Sequence, residues 1–146
     1  MLARITSYGL TGLLGYPVTV ETDISFGFAG YETVGLPDNA VKESKERVRS
    51  AICNSGFPFP NVRLVVNLAP ADVRKEGTVY DLPIAIGLLT ATGQIDQQRA
   101  DEYMFLGELA LDGTVRSIPG VLPMVIGAYK DGITKAFLPE DNAAEA

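Results

Sequence analysis

The chain has 146 residues, with 12 Lys and Arg against 18 Asp and Glu, a net charge of -6, one Cys and no His. Its length and its 47% hydrophobic content predict one folded domain. Without His, and with Cys53 as the single thiol, the chain cannot supply a Ser-His-Asp triad, a Cys-His pair, a His-ligated metal, a zinc cluster or an internal disulfide. The sequence contains neither a signal-peptide pattern nor an apolar run of membrane-spanning length, which favours a cytoplasmic protein without membrane contact.

The first third of the chain predicts strands over residues 2–8, 18–24 and 31–34, because apolar and polar residues alternate there. The turn residues predicted between the first two strands are Gly9, Gly12, Gly15 and Pro17. Asp38 then predicts the cap of a helix that ends at Gly56. The positions that recur at helical spacing, and that we expect to be buried, are Val41, Ser44, Val48, Ala51 and Ile52.

The remaining residues alternate between strand and helix patterns. Residues 62–68 predict a buried strand, and residues 69–80 predict a long loop of the kind that is often functional. Asp81 predicts the cap of a buried helix that ends at Gly93. Residues 104–109 and 114–118 predict a hairpin, followed by a helix ending near Gly132 and a short strand over 136–138. This order predicts an α+β domain with a mixed sheet, and residues 139–146 have the composition of a helix start, so we expect the chain to continue.

Few residues point to chemistry. A phosphate-binding loop is absent from the sequence, and Gly27, Gly30 and Gly35 have the wrong spacing for a dinucleotide site. We therefore interpret these glycines as turn residues. Cys53 follows the predicted buried Ile52, which favours a half-buried core thiol over a nucleophile.

Four long motifs carry a resemblance that covers nearly the whole chain: LGYPVTVETDIS, VGLPDNAVKESKERVRSAICNSG, NLAPADVRKEGTVYDLPIAIGLL and FLGELALDGTVRSIPGVLPMVIGAYKDGITKAFLPEDNAAEA. Together they resemble the N-terminal domain of the Mg-chelatase-like AAA+ ATPases of the ComM and YifB type. The resemblance implies a fold like domain 2 of ribosomal protein S5, which is shared with the proteolytic domain of Lon and the C-terminal domain of RadA.

The resemblance also implies a role. It implies that residues 1–138 form the Lon-like N-terminal domain, and that residues 139–146 lead to an AAA+ module that binds ATP and Mg²⁺. It further implies that the whole protein forms a hexameric ring and acts on DNA, driving branch migration during natural transformation. The alternatives are a Lon-like peptidase and magnesium insertion into a porphyrin.

The kinship with Lon raises one catalytic question, because Lon-type peptidases use a Ser nucleophile activated by Lys. In the register that the resemblance implies, the nucleophile position holds Asp81 and the Lys position holds Met124. A shift of about three residues would place Thr78 near the site instead. Neither register supplies a Lys, so we expect no peptidase chemistry and no catalytic residues in this chain.

One basic surface is predicted. Residues 38–76 have a balance of +2, whereas the remaining residues carry -8. On the predicted first helix, Lys42, Lys45 and Arg49 share one face, and the long loop brings Arg74 and Lys75 as candidate neighbours.

Three interpretations of this basic face stay open. The first is a solvated helix face that Glu43 and Glu46 partly neutralise, with an ion pair between Glu43 and Arg47. The second is a subunit contact in the ring, and the third is a contact with DNA.

Overall fold

The chain folds into a mixed sheet covered by helices, as described by a computed structural model for residues 1–146. This confirms the predicted fold class. The strands are β1 (Leu2–Thr11), β2 (Leu14–Ser25), β3 (Gly30–Val34), β4 (Arg63–Ala69), β5 (Met104–Phe105), β6 (Glu108–Leu109), β7 (Val115–Arg116) and β8 (Ala136–Phe137). The helices are α1 (Asn39–Asn54), α2 (Asp81–Ala91), α3 (Gln97–Ala100), α4 (Val121–Lys130) and a 3-10 helix (Glu140–Glu145).

The main sheet has the order β3-β4-β2-β1-β5-β8. Strands β1 and β2 form a long antiparallel hairpin, β4 is antiparallel to β2, and β3, β5 and β8 are each parallel to a neighbour. Gly12 lies in the hairpin turn, as predicted. Gly9, Gly15 and Pro17 instead lie within the strands, because the ladder continues to the pair Thr11 and Leu14.

One face of the sheet holds the core. Ile5 of β1 and Val20 of β2 are paired and fully buried, and α2 packs against this face where Gly87 meets Thr22. On the opposite face Arg4 pairs with Glu21 at 3.4 Å. The burial of strand side chains alternates over residues 2–5 as period 2 requires, whereas Ser7 and Tyr8 are both buried.

Helix α1 follows the sequence prediction closely. The Asp38 carboxylate accepts the Val41 N–H at 2.8 Å, and all five positions predicted to be buried lie in the core. The prediction for Cys53 is wrong, because its side chain is exposed. It follows Ile52 by one residue, and a step of about 100° around the helix turns it away from the core.

The second half of the chain departs from the prediction in two places. The predicted hairpin strand over 104–109 is divided: β5 joins the main sheet, whereas β6 leaves it and pairs with β7. Helix α3 is a single turn that the sequence analysis missed. None of the helices combines the length and the apolar character needed to cross a bilayer.

The 3-10 helix is fastened to the rest of the domain by one side chain. The Asn142 amide donates to the Ile118 carbonyl at 3.1 Å and accepts the Ile118 N–H at 2.9 Å. Asn142 is buried, so these two hydrogen bonds satisfy both polar ends of a side chain that water cannot reach.

Candidate functional site

A cleft of about 360 Å³ opens beside the start of α2. Its walls come from β1, β2, the 70–80 loop and the start of α4, and both Thr78 and Met124 line it. Tyr16 and Tyr80 complete the same wall, and burial raises the pKa of each hydroxyl above its ordinary value. The fold therefore brings together Thr78 and Met124, two of the three residues that the Lon register singled out.

Asp81, the third of these residues, lies outside the lining of the cleft. The prediction that it caps α2 is wrong, because Tyr80 occupies the cap position and makes no side-chain cap hydrogen bond. Asp81 is the first residue of the helix, and its carboxylate accepts the Leu109 N–H at 3.1 Å. It therefore faces β6 rather than its own helix end.

The partner of Asp81 is Arg47. The guanidinium donates from Nε to Oδ2 at 2.6 Å and from Nη2 to Oδ1 at 3.0 Å, and it also donates to the Ala40 carbonyl. The predicted pair between Glu43 and Arg47 is therefore wrong, since Arg47 forms its ion pair with the Asp81 carboxylate. Such a two-point pair joins α1, α2 and β6.

Burial governs the electrostatics of this pair. The Asp81 side chain is 1% exposed and that of Arg47 is 21% exposed. Burial raises the pKa of the Asp81 carboxyl, and the hydrogen bonds from Arg47 and Leu109 oppose that shift. The hydrogen bond to Asp81 raises the pKa of Arg47.

Lys75 does not join the exposed basic face, which corrects its assignment as a contact residue. Its side chain is fully buried, and its ammonium donates to the Gly35 carbonyl at 2.9 Å and to the Pro70 carbonyl. Burial lowers the pKa of this ammonium. Gly35 has φ +102°, and a Cβ there would lie 2.3 Å from the Leu68 carbonyl oxygen, so only glycine fits beside the lysine.

Arg74 and the helix cations remain at the surface. Arg74 is exposed and lies 3.6 Å from the Glu76 carboxylate. Lys42 and Arg49 are exposed, Lys45 is half-buried, and none of the three forms an ion pair. Glu43 and Glu46 therefore form no ion pairs with these three cations.

Residues 20–142 match the family model described as "Subunit ChlI of Mg-chelatase". The chain belongs to the Mg-chelatase-like AAA+ family. It is 48% identical to the "Uncharacterized protein YifB" of Escherichia coli over 144 residues, and 43% identical to the "Competence protein ComM" of Haemophilus influenzae over 145 residues. Each match covers 99% of this chain and 28% of the relative, so the chain spans less than a third of the length of these family members.

A more distant similarity links this family member to peptidases. The chain is 26% identical to the Lon protease of Finegoldia magna over 136 residues, which covers 88% of this chain and 17% of that protease. The mixed sheet with its helices is consistent with this similarity, as the Lon-like fold prediction requires.

Sequence reasoning missed two groups of residues around these sites. The first is Tyr16 and Tyr80 in the cleft, which no motif marks. The second is Phe26 and Phe28 on either side of Gly27. Two aromatic residues around a glycine, directly after a strand, were a readable signal of an exposed turn.

Proposed function

We propose that this chain is an N-terminal assembly and interaction domain, without chemistry of its own, of a longer AAA+ ATPase of the ComM and YifB type. In this proposal residues 1–138 form the domain, and an ATP- and Mg²⁺-binding module follows it in the longer protein. That protein assembles as a hexameric ring in the cytoplasm and drives branch migration of DNA during recombination and natural transformation. The name of the competence protein supports the link to natural transformation.

The observation that carries the non-catalytic assignment is the lining of the cleft. A hydroxyl nucleophile needs a neighbouring base, and the cleft offers Thr78 with the thioether of Met124 and no lysine. The Asp38 carboxylate in the same lining accepts the Val41 and Gly77 N–H groups, and the Glu76 carboxylate lies 3.6 Å from the Arg74 guanidinium. Lys75 is three residues from Thr78 in sequence, but its ammonium is occupied by the Gly35 and Pro70 carbonyls. These contacts support the proposal that the cleft retains a binding shape without an activated nucleophile.

The motor assignment is tested on the coding sequence and on the longer protein. We expect the sequence after Ala146 to encode a Walker A motif, and its absence would overturn the assignment. The purified longer protein should move the branch point of a synthetic three-strand junction only in the presence of ATP and Mg²⁺. A variant with its Walker A lysine replaced should leave the junction unchanged.

A Lon-like peptidase is the second candidate, because the chain resembles Lon protease and Thr78 lines the cleft. It predicts ATP-stimulated hydrolysis of fluorescein-labelled casein by the longer protein, with loss of that activity in Thr78→Ala. We expect the longer protein and its Thr78→Ala variant to release no more fluorescence than a protein-free blank. Hydrolysis that disappears in Thr78→Ala would contradict the non-catalytic assignment.

The description of the matched family model supports a third candidate, magnesium insertion into a porphyrin. The absorption spectrum of a free porphyrin incubated with the longer protein, ATP and Mg²⁺ tests it. We expect the spectrum to stay that of the metal-free ring. Appearance of the magnesium porphyrin spectrum would replace the DNA assignment.

A further inference from the structure

Two connecting segments and one helix meet at a single end of the sheet. Arg63, the first residue of β4, is paired with Ser25 at the end of β2 and with Gly30 at the start of β3. The Gly30 N–H also donates to the Val62 carbonyl at 3.3 Å. The loop over residues 26–29 therefore lies beside the segment that leads into β4.

The loop carries two aromatic rings that the fold does not use. Phe26 is 99% exposed and Phe28 is 97% exposed, so neither ring packs against the core. What distinguishes them from an aliphatic pair is that each ring presents a flat π-face to solvent, which can stack on a flat ligand. Phe59, in the segment before β4, adds a third ring that is half-buried.

Cations from α1 reach the same place. Lys45, Arg49 and Phe59 line one polar depression of about 470 Å³ together with Ala29 of the loop. The Arg49 guanidinium lies 4.3 Å from the centre of the Phe59 ring in a cation–π contact, and the Arg49 side chain remains exposed to solvent. We define the sheet-end surface as Phe26, Phe28, Lys45, Arg49 and Phe59.

The balance of charge in this region is slightly positive. Lys42 and Arg63 border the sheet-end surface, and neither they nor Lys45 and Arg49 form an ion pair. The nearby acidic residues are Glu32 on β3 and Glu43 and Glu46 on α1, and Glu32 lines one depression with Lys42 and Lys45. Four cations therefore stand against three acids, although the whole chain has a net charge of -6.

We propose that the sheet-end surface binds single-stranded DNA. Unpaired bases present flat π-faces that stack on aromatic rings and on guanidinium planes, and their backbone phosphates pair with Lys and Arg. Duplex DNA hides its base faces, and an acidic peptide offers none, so neither uses the two exposed phenylalanines. The choice of DNA over RNA rests on the proposed function, whereas the stacking and charge arguments rest on this surface.

The test is fluorescence anisotropy of a labelled 20-nucleotide thymidine strand, titrated with this chain over a series of salt concentrations. We expect Phe26→Ala with Phe28→Ala to weaken binding at least tenfold, since stacking contributes about 1–3 kcal/mol per base and 1.4 kcal/mol is tenfold. Lys45→Gln with Arg49→Gln should lower the slope of log Kd against log salt by about 1.4, from two lost phosphate contacts.

Matched controls come from the same chain. Leu13 and Leu14 are exposed by 88% and 74% in the hairpin turn at the other end of β2, so Leu13→Ala with Leu14→Ala removes similar apolar surface and should not change the Kd. Lys130→Gln should leave the salt slope unchanged. Equal losses in the phenylalanine and leucine variants would overturn the proposal. It would also fall if a duplex or a poly-glutamate competitor bound as tightly as the single strand.

DNA binding by the sheet-end surface and branch migration by the longer protein can be tested independently of each other. If the longer protein moves a DNA branch point while this chain does not bind the thymidine strand, the sheet-end surface is not a DNA site and the motor assignment stands. If this chain binds the strand through Phe26 and Phe28 while the longer protein is inactive on junctions, the binding site stands and the motor assignment falls.

Discussion

Arg47 and Arg49 are two residues apart on helix α1, and their guanidinium groups have opposite surroundings. Arg47 is clamped to the buried Asp81 carboxylate, whereas Arg49 lies over the Phe59 ring and has no acidic partner. A step of two residues rotates a side chain by about 200° around a helix, which takes it from one face to the other. The same residue type therefore holds the fold together on one face and remains available for recognition on the other.

Replacing Arg47 should give the largest effect. Arg47→Met leaves the Asp81 carboxylate buried without a counter-charge, and removal of one partner of such a pair lowers the free energy of unfolding by about 3–5 kcal/mol. Arg49→Met should lower it by less than about 1 kcal/mol, because only an exposed contact with Phe59 is lost. Urea unfolding followed by circular dichroism measures both, and equal losses would remove the distinction between the two faces.

Neutralising both Arg47 and Asp81 tests whether the unpaired buried charge causes the loss of stability. Asn at position 81 keeps an oxygen for the Leu109 N–H but carries no charge. Arg47→Met combined with Asp81→Asn should therefore recover about 2 kcal/mol of the loss seen in Arg47→Met alone, since no buried charge is left unpaired. A double variant no more stable than Arg47→Met would show that lost packing, rather than the unpaired carboxylate, causes the destabilisation.

Lys75 and Lys42 form a second buried and exposed pair. Lys75→Met removes the donor to two carbonyls and should lower the free energy of unfolding by about 1–3 kcal/mol. Lys42→Met removes an exposed ammonium and should change it by less than about 0.5 kcal/mol. Thermal unfolding of both variants at one pH checks this, and a Lys75→Met protein as stable as the wild type would contradict it.

The tyrosines extend the comparison between buried and exposed groups to alkaline pH. Burial raises the pKa of the Tyr8, Tyr31 and Tyr80 hydroxyls well above the usual value of about 10. Above that value the unfolded chain loses these protons while the folded chain keeps them, so the free energy of unfolding falls as pH rises. Absorbance at alkaline pH should record these phenolates only as the protein unfolds.

Tyr8 isolates one of these hydroxyls, since its side chain is 1% exposed. Tyr8→Phe should remove absorbance that changes with unfolding. Early ionisation of Tyr8 would mean that its hydroxyl, which donates to Asp131 at 2.6 Å, is less protected than its burial indicates.

Local patterns were enough to predict most elements of the fold. Strand alternation, the Asp38 cap and the spacing from Val41 to Ile52 each depend on neighbouring residues, and the structure confirms them. Helix α3 was missed because a single turn has too little periodicity to detect. The prediction of one hairpin over 104–118 was wrong for its first strand, because β5 pairs with β1, about a hundred residues away in sequence.

The site was harder to predict because its contacts are made across the sequence. Asp81 has the chemistry of a helix cap, but Arg47 and the Leu109 N–H, which lie 34 and 28 residues away, decide where its carboxylate points. Lys75 has the appearance of a loop cation, but its buried ammonium donates to the carbonyl of Gly35, 40 residues away, as well as to that of Pro70. In both cases a local motif was outweighed by a distant partner.

The long hairpin of β1 and β2 has a consequence for the order of folding. Its residues pair in register from Leu2 with Asp23 to Thr11 with Leu14, so every one of these contacts closes a short stretch of chain. By contrast, β5 reaches β1, and β4 reaches β2, only after long segments are ordered. Because loop closure becomes less favourable with length, we expect the hairpin to form early, and the central strands to serve as the template on which both edges assemble.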